Sequence, residues 1–191
     1  LALAAMDIGP GDEVIVPSFT WVATANAVLY CNATPVLCDV DPRTNNIDPA
    51  SVASKLTERT KAVMPVHLFG LCADMDALRA VLPKHVKIVE DGACAAGASY
   101  KGTPAGALGD AGCFSFHPRK SITTGEGGML TTNNAALAAT ADQLKALTAG
   151  DEFTGVDMEA TFGIKPTPFE DAIRETFCDP VYSRVQVKSY V

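Results

Sequence analysis

The chain has 191 residues, 48% of them hydrophobic, with 15 basic and 22 acidic side chains and a formal net charge of −7. That is enough apolar material for one well-buried core, and one domain is the default count. No Lys/Arg run builds the basic face that a nucleic acid needs, and no apolar run approaches a membrane span, so neither partner is expected.

Leu1–Met6 is apolar without a basic flank, so it reads as the last turns of a helix rather than a signal peptide, and the natural N-terminus is expected upstream. A Gly11-Asp12 turn leads into a short apolar strand over 14–17. The spacing of Ala23, Ala27 and Tyr30 predicts a helix over 20–31, followed by a strand over 35–39. Asp48-Pro49 has the N-cap and N1 chemistry of a helix start, and that helix is expected to reach Leu56. A strand over 62–66, a helix capped by Asp74 and ending near Leu82, and a strand over 86–91 come next. Two more strands are expected at 112–116 and 128–132, then an Ala/Leu-rich helix over 135–147. After residue 148 the pattern weakens: a break at 149–151, a turn-rich stretch at 162–168, a helix over 169–177 and no periodicity beyond it. The expected organisation is one domain over 1–147 and a separate segment over 148–191.

Strands alternating with helices imply βαβ units, hence an α/β fold with a mostly parallel sheet covered on both faces, a three-layer sandwich. In such sheets ligands bind beyond the carboxyl ends of the strands. The residues placed there are Ser18, Thr20 and Trp21, then His67, then Glu90-Asp91, then His117 to Lys120. The histidines, at 67, 85 and 117, are scattered without an HExxH pair. Cysteines at 31, 38, 72, 94, 113 and 178 form no CxxC pair and read as small buried residues. No metal is expected, and a reducing cytosol is the simplest compartment.

Asp91 ends a near-continuous apolar strand, where a carboxylate is costly without a partner. It either holds a protonated pyridine nitrogen, as in enzymes that use pyridoxal 5′-phosphate (PLP), or caps the local amides after it. Lys120 is either an ordinary loop lysine or an amine that forms an imine with an aldehyde cofactor. Its context favours the second, with Ser115 five residues before it and a Thr/Gly-rich stretch, 123–128, just after. Ser115, Thr123 and Thr124 either donate to a phosphate or close turns. Trp21 is a core anchor or stacks on a flat ring. For His67 and His117 a satisfied structural role is the simpler reading, and the glycine run 125–128 is neither a P-loop nor a dinucleotide fingerprint.

Four stretches together resemble the DegT/StrS family of PLP-dependent nucleotide-sugar aminotransferases. They are Gly9 to Asn26, Pro65-Val-His-Leu-Phe-Gly70 with Ala73 to Asp76, Glu90-Asp-Gly-Ala93, and Gly109 through Lys120 to Gly128. The resemblance implies the large domain of aminotransferase fold-type I over residues 1–147. It implies that Lys120 is the Schiff-base lysine and proton shuttle, that Asp91 pairs with the pyridinium nitrogen, that Ser115 binds the cofactor phosphate and that Trp21 covers the ring face. Cys94 stands where the family usually has Gln or His, and a thiol is a poor hydrogen-bond partner for the ring hydroxyl. The implied activity is transamination of a nucleotide-linked keto-sugar, with glutamate as amino donor, by a cytoplasmic homodimer. A Ser-Gly-Thr phosphate turn is expected upstream of Leu1, and the family's small domain with its Asn-Tyr-Arg motif is not recognised after residue 147. Residues 162–177 instead resemble the terminal helix of extended short-chain dehydrogenase/epimerase proteins. The alternative is therefore a non-catalytic remnant of the same fold, truncated or fused.

Overall fold

The structure is a computed structural model that describes residues 1–149. The helix expected at 169–177, and all but the first two residues of the expected segment 148–191, lie outside the described residues.

A first short helix, α1 (Ala2–Ala5), precedes strand β1 (Glu13–Pro17), helix α2 (Ala23–Tyr30) and strand β2 (Thr34–Cys38). Helix α3 (Pro49–Lys55) starts as its sequence demands, with Pro49 in the first turn and the Asp48 carboxylate accepting the Ala50 N–H at 2.9 Å. Strand β3 (Thr60–Val63) leads through a single 3-10 turn, Leu68–Gly70, to helix α4 (Met75–Val81). The Asp74 carboxylate caps α4 by accepting the Ala77 N–H at 3.1 Å. Strand β4 (Lys87–Asp91), a two-residue hairpin of β5 (Ser99–Tyr100) and β6 (Thr103–Pro104), strands β7 (Ala111–Ser115) and β8 (Gly128–Thr131), and helix α5 (Ala135–Ala149) complete the order.

The main sheet runs β2-β1-β3-β4-β7-β8. Its first five strands are parallel, and β8 returns antiparallel to β7. All five residues of β1 are buried, and they alternate between two cores. Val14 and Val16 pack with Val28, Met64 and Leu137 on the face of α2 and α5. Ile15 packs with Val52, Met75 and Leu78 on the face of α3 and α4. The chain is thus the three-layer α/β sandwich expected, and truncating Ile15 to Ala would destabilise it by about 2–5 kcal/mol.

Two boundaries and one pair of strands differ from expectation. Helix α2 starts at Ala23, because Thr20–Val22 serve as the bend out of β1, with Trp21 and Val22 turned to solvent. Strand β3 ends at Val63, since Pro65 has no N–H to continue the ladder. The Pro65 carbonyl still accepts the Asp91 N–H at 2.8 Å, and an isolated parallel bridge, Val66 to Asp91, carries the line of β3 onward. The hairpin β5–β6 has no counterpart among the predicted elements, because two-residue strands leave no periodicity to read.

Gly106 and Gly112 allow a close crossing of the 105–109 loop over β7. A Cβ built on Gly112 would lie 2.4 Å from the Gly106 Cα. Gly106 itself has φ near +87°, which only glycine adopts freely.

Candidate active site

Asp91 is the last residue of β4, half-buried at the carboxyl edge of the sheet. Its Oδ2 accepts the Thr24 hydroxyl of α2 at 2.8 Å, and its Oδ1 accepts the Ala93 N–H at 3.1 Å. The local-cap reading therefore holds for one oxygen, while the other is held by a helix 67 positions away. Each carboxylate oxygen keeps a lone-pair direction for a further donor. Thr24 is 2% exposed, and Thr20 lies 3.1 Å from it, hydroxyl to hydroxyl.

Lys120 sits in the turn after β7, its backbone N–H donating to His117 C=O at 2.9 Å. Its Nζ lies 3.3 Å from the exposed Cys94 Sγ, three residues beyond Asp91. The lysine and the end of β4 are thereby brought to one place. Ser115 ends β7, half-buried, and its hydroxyl accepts the His117 N–H at 3.3 Å. Trp21 is 78% exposed, which removes the core-anchor reading and leaves an indole presented at the β1 edge. Phe19, at 52%, and Phe69, at 77%, are also exposed on loops leaving β1 and β3.

Thr123 and Thr124 close turns. The Thr123 hydroxyl donates to Phe116 C=O at 2.8 Å, and that of Thr124 to Glu126 C=O at 2.9 Å. His117 Nδ1 accepts the Arg119 N–H at 3.2 Å, a local role. His67 is fully buried and bonded to Glu90 at 2.9 Å, the satisfied histidine expected.

Two features were not singled out in the sequence. Thr24 carried a weak signal, since its hydroxyl stands one helical turn from Thr20. The second is the loop bearing Phe69. Asn46, 4% exposed, receives Leu68 N–H at 3.1 Å and donates to Leu71 C=O at 2.9 Å. Between these clamps Phe69 is held at φ 54°, an unusual conformation for an aromatic residue.

The electrostatics separate the thiols. Burial, reinforced by the Asp91 charge, pushes the Cys113 thiol up to about 11. Burial, with Asp39 and Asp48, pushes Cys38 up to about 12. An apolar cleft of about 450 Å³ beside α1, α2 and α5, lined by Ala2, Ala27, Tyr30 and Met64 among others, contains none of the predicted site residues. The predicted site residues lie instead at the carboxyl edge of the sheet, where Asp91, Cys94 and Lys120 are brought together. Among the described residues, no group of three or more His, Cys, Asp or Glu side chains is placed to hold a metal ion. Among them, too, no helix is long and apolar enough to cross a membrane.

A parallel sheet with a carboxylate ending one strand and a lysine following the next defines an α/β chain of the aminotransferase fold-type I class. The chain belongs to the DegT/DnrJ/EryC1/StrS aminotransferase family, whose model matches residues 1–166. It is 59% identical over 140 residues to the GDP-perosamine synthase of Caulobacter vibrioides, covering 73% of this chain and 38% of that protein. It is 46% identical over 177 residues to the L-glutamine:2-deoxy-scyllo-inosose aminotransferase of Streptomyces lividus, covering 92% of this chain and 39% of that protein. A candidate sugar aminotransferase of Streptococcus pneumoniae, solved in a PLP form, superposes with a TM-score of 0.70 at 35% identity, covering 76% of this chain and 41% of the other. The chain thus spans about two fifths of the length of these relatives.

Proposed function

We propose that this chain is the cofactor-binding part of a PLP-dependent aminotransferase that aminates a nucleotide-linked keto-sugar, with glutamate as amino donor. The observation that carries this reading is the meeting of Lys120 with the loop that leaves Asp91, its amine 3.3 Å from Cys94. The donor set fits the cofactor: a carboxylate for a pyridine N–H, an amine for an aldehyde, a hydroxyl for a phosphate and an exposed indole for a flat ring. When bound, PLP supplies an electron sink for the charge that develops at the substrate Cα.

Each residue then has one task. Asp91, fixed by Thr24 and Ala93, holds a proton on the ring nitrogen. Ser115 donates its hydroxyl to the phosphate. Trp21 covers one ring face and excludes water from it. Cys94 stands at the ring hydroxyl. Lys120 would take the proton from the amino-donor Cα and deliver it to the cofactor C4′, and would move a proton from C4′ to the sugar carbon when the keto-sugar reacts, as general base and then acid in each half-reaction. The relatives support a sugar-like ketone and a nucleotide handle. They also make L-glutamine the competing donor. In this reading residues 1–147 form the large domain and 148–191 a separate segment. The protein is a cytoplasmic homodimer, in line with the exposed Leu29, Tyr30 and Leu37.

The test is to load the protein with PLP, reduce it with borohydride and locate the pyridoxyl group by peptide mass spectrometry. The expected site is Lys120, with no adduct in Lys120→Ala; an unchanged adduct in that variant refutes the assignment. Release of 2-oxoglutarate from glutamate in the presence of a GDP-linked keto-sugar then tests turnover. Bound PLP without turnover on either donor would favour the non-catalytic alternative.

A further inference from the structure

Behind Asp91, on the opposite face of β4, lies a fully buried charged group that the proposed chemistry does not use. Glu90 and His67 both have no exposed side-chain surface. Glu90 Oε2 accepts His67 Nε2–H at 2.9 Å and Gly106 N–H at 2.7 Å. Its Oε1 accepts Leu108 N–H at 2.7 Å and Gly109 N–H at 2.5 Å. His67 Nδ1 accepts the Ala73 N–H at 3.2 Å, so the ring proton is on Nε2 and is donated to Glu90. Every donor in this cluster needs an acceptor, and Glu90 provides both oxygens as acceptors.

A buried carboxylate is a poor way to gain stability alone. Its desolvation is expensive, and well-packed apolar groups often serve as well or better. What the cluster does here is tie four segments together: the stretch after β3 through His67, the end of β4 through Glu90, the 106–109 loop, and Ala73 just before α4. The backbone carries that fixation to Asp91. His67 N–H donates to Asp91 C=O at 2.9 Å, and Asp91 N–H donates to Pro65 C=O at 2.8 Å. Asp91 is therefore held from the front by Thr24 and from the back by its own peptide groups, which hang on the residue pair behind the sheet.

We propose that Glu90 and His67 are positioning residues for Asp91, a buried pair that sets where the Asp91 carboxylate stands and so how firmly it holds a cofactor ring nitrogen. The cofactor part of this statement rests on the proposed function; the positioning part does not.

The test uses Glu90→Gln in the full chain. A glutamine has one acceptor oxygen and one NH2 group. Whichever way it turns, its NH2 faces two N–H donors, either Leu108 and Gly109 or Gly106 and His67. Amide hydrogen exchange at His67 and Asp91 is expected to quicken by about ten- to hundredfold, while β1 amides keep their parent rates. PLP labelled with 15N in its ring is expected to bind about tenfold more weakly or worse, with its ring resonance moved toward that of the unprotonated pyridine. A merely structural pair would lower stability without moving that resonance. Unchanged exchange at His67 and Asp91 in a folded Glu90→Gln protein overturns the proposal, as does a ring resonance identical to the parent's.

Should Glu90→Gln fail to fold, His67→Asn carries the same measurements, because Glu90 keeps its three backbone donors. Failure of both to fold assigns the pair to stability alone and overturns the proposal. Asp91→Asn separates the two readings. If it leaves the ring resonance of bound PLP unmoved, or if the parent binds no PLP, the cofactor role of Asp91 fails, while the exchange rates still decide whether Glu90 and His67 position it.

Discussion

Thr24 and Asp91, 67 positions apart in the chain, are joined by a 2.8 Å hydrogen bond from the threonine hydroxyl to Oδ2. The bond ties the first turns of α2 to the end of β4 across the face where the cofactor is proposed to lie. It fixes the orientation of the carboxylate through Oδ2. Thr24→Val keeps the shape and removes the donor. The expected result is PLP affinity about ten- to hundredfold weaker, with a stability loss of no more than about 2 kcal/mol. Absorbance titration with PLP measures the first and urea unfolding the second. Parental affinity in this variant would show that the hydroxyl does not orient Asp91.

Much of this edge was legible in the sequence because it lies at strand ends. Asp91, Ser115 and Lys120 follow apolar runs, and the rule that ligands gather beyond the carboxyl ends of parallel strands points to them directly. The sandwich was legible for a similar reason, since Val14, Ile15 and Val16 of β1 form a continuous apolar run that must be covered on both faces. What supports the site was not legible. Glu90 meets His67 across 23 positions, and both face away from the ligand side. His67 read as a structural histidine, but its partner could not be named from spacing. The antiparallel return of β8 was equally hidden, because a four-residue strand carries no mark of its direction.

Cys94 is exposed, whereas burial pushes Cys113 up to about 11 and Cys38 up to about 12. Only the thiolate attacks an alkylating reagent. Iodoacetamide near pH 8 is therefore expected to modify Cys94 well before Cys38 or Cys113, which react on unfolding. Bound PLP is expected to shield Cys94, because that thiol lies 3.3 Å from the Lys120 amine. Peptide mass spectrometry over a time course reads both effects. Labelling of Cys94 at the same rate with and without PLP would place the cofactor elsewhere.

Cys94 is also the one position where a weak donor stands in a site otherwise rich in strong ones. A thiol makes a poorer hydrogen bond than an amide. Cys94→Gln is expected to tighten PLP binding by about two- to tenfold, the gain of roughly one net hydrogen bond. The comparison requires only equilibrium titration of parent and variant. Weaker binding would mean that the small thiol is needed to leave Lys120 room.

Acid should weaken this chain in part through its two buried glutamates, Glu90 and Glu13. Burial would raise Glu90, but hydrogen bonds from His67, Gly106 and Gly109 outweigh it and hold the group below its usual value of 4.5. Glu13 is held below 4.5 by the Thr57 hydroxyl, which with Arg59 outweighs burial. A folded-state pKa below the unfolded one means that the unfolded chain binds these protons first as pH falls. The stabilisation is full above about pH 4.5–5 and is lost as pH drops through the lowered folded values. Urea midpoints measured between about pH 6 and pH 3 should therefore fall steeply in the parent and less steeply in Glu90→Gln. Parallel curves for the two proteins would remove Glu90 from the acid transition.

The crossing of Gly106 and Gly112 makes the severest packing demand near the site. A methyl group on Gly112 would meet the Gly106 Cα at 2.4 Å and the Thr131 hydroxyl at 2.7 Å. The first is backbone, which cannot swing aside as a side chain can. Thr131 is itself anchored, donating to Gly106 C=O at 2.7 Å. Relief must come from moving the 105–109 loop away from β7, and that loop supplies the Gly106, Leu108 and Gly109 donors of Glu90. Gly112→Ala is therefore expected to cost at least about 1–3 kcal/mol from overpacking, with more if the Glu90 bonds open as well. Urea unfolding gives the total, and exchange of the Gly106, Leu108 and Gly109 amides tells whether the loop has lifted. A variant as stable as the parent, with those amides still protected, would mean that β7 and the loop can separate without disturbing Glu90.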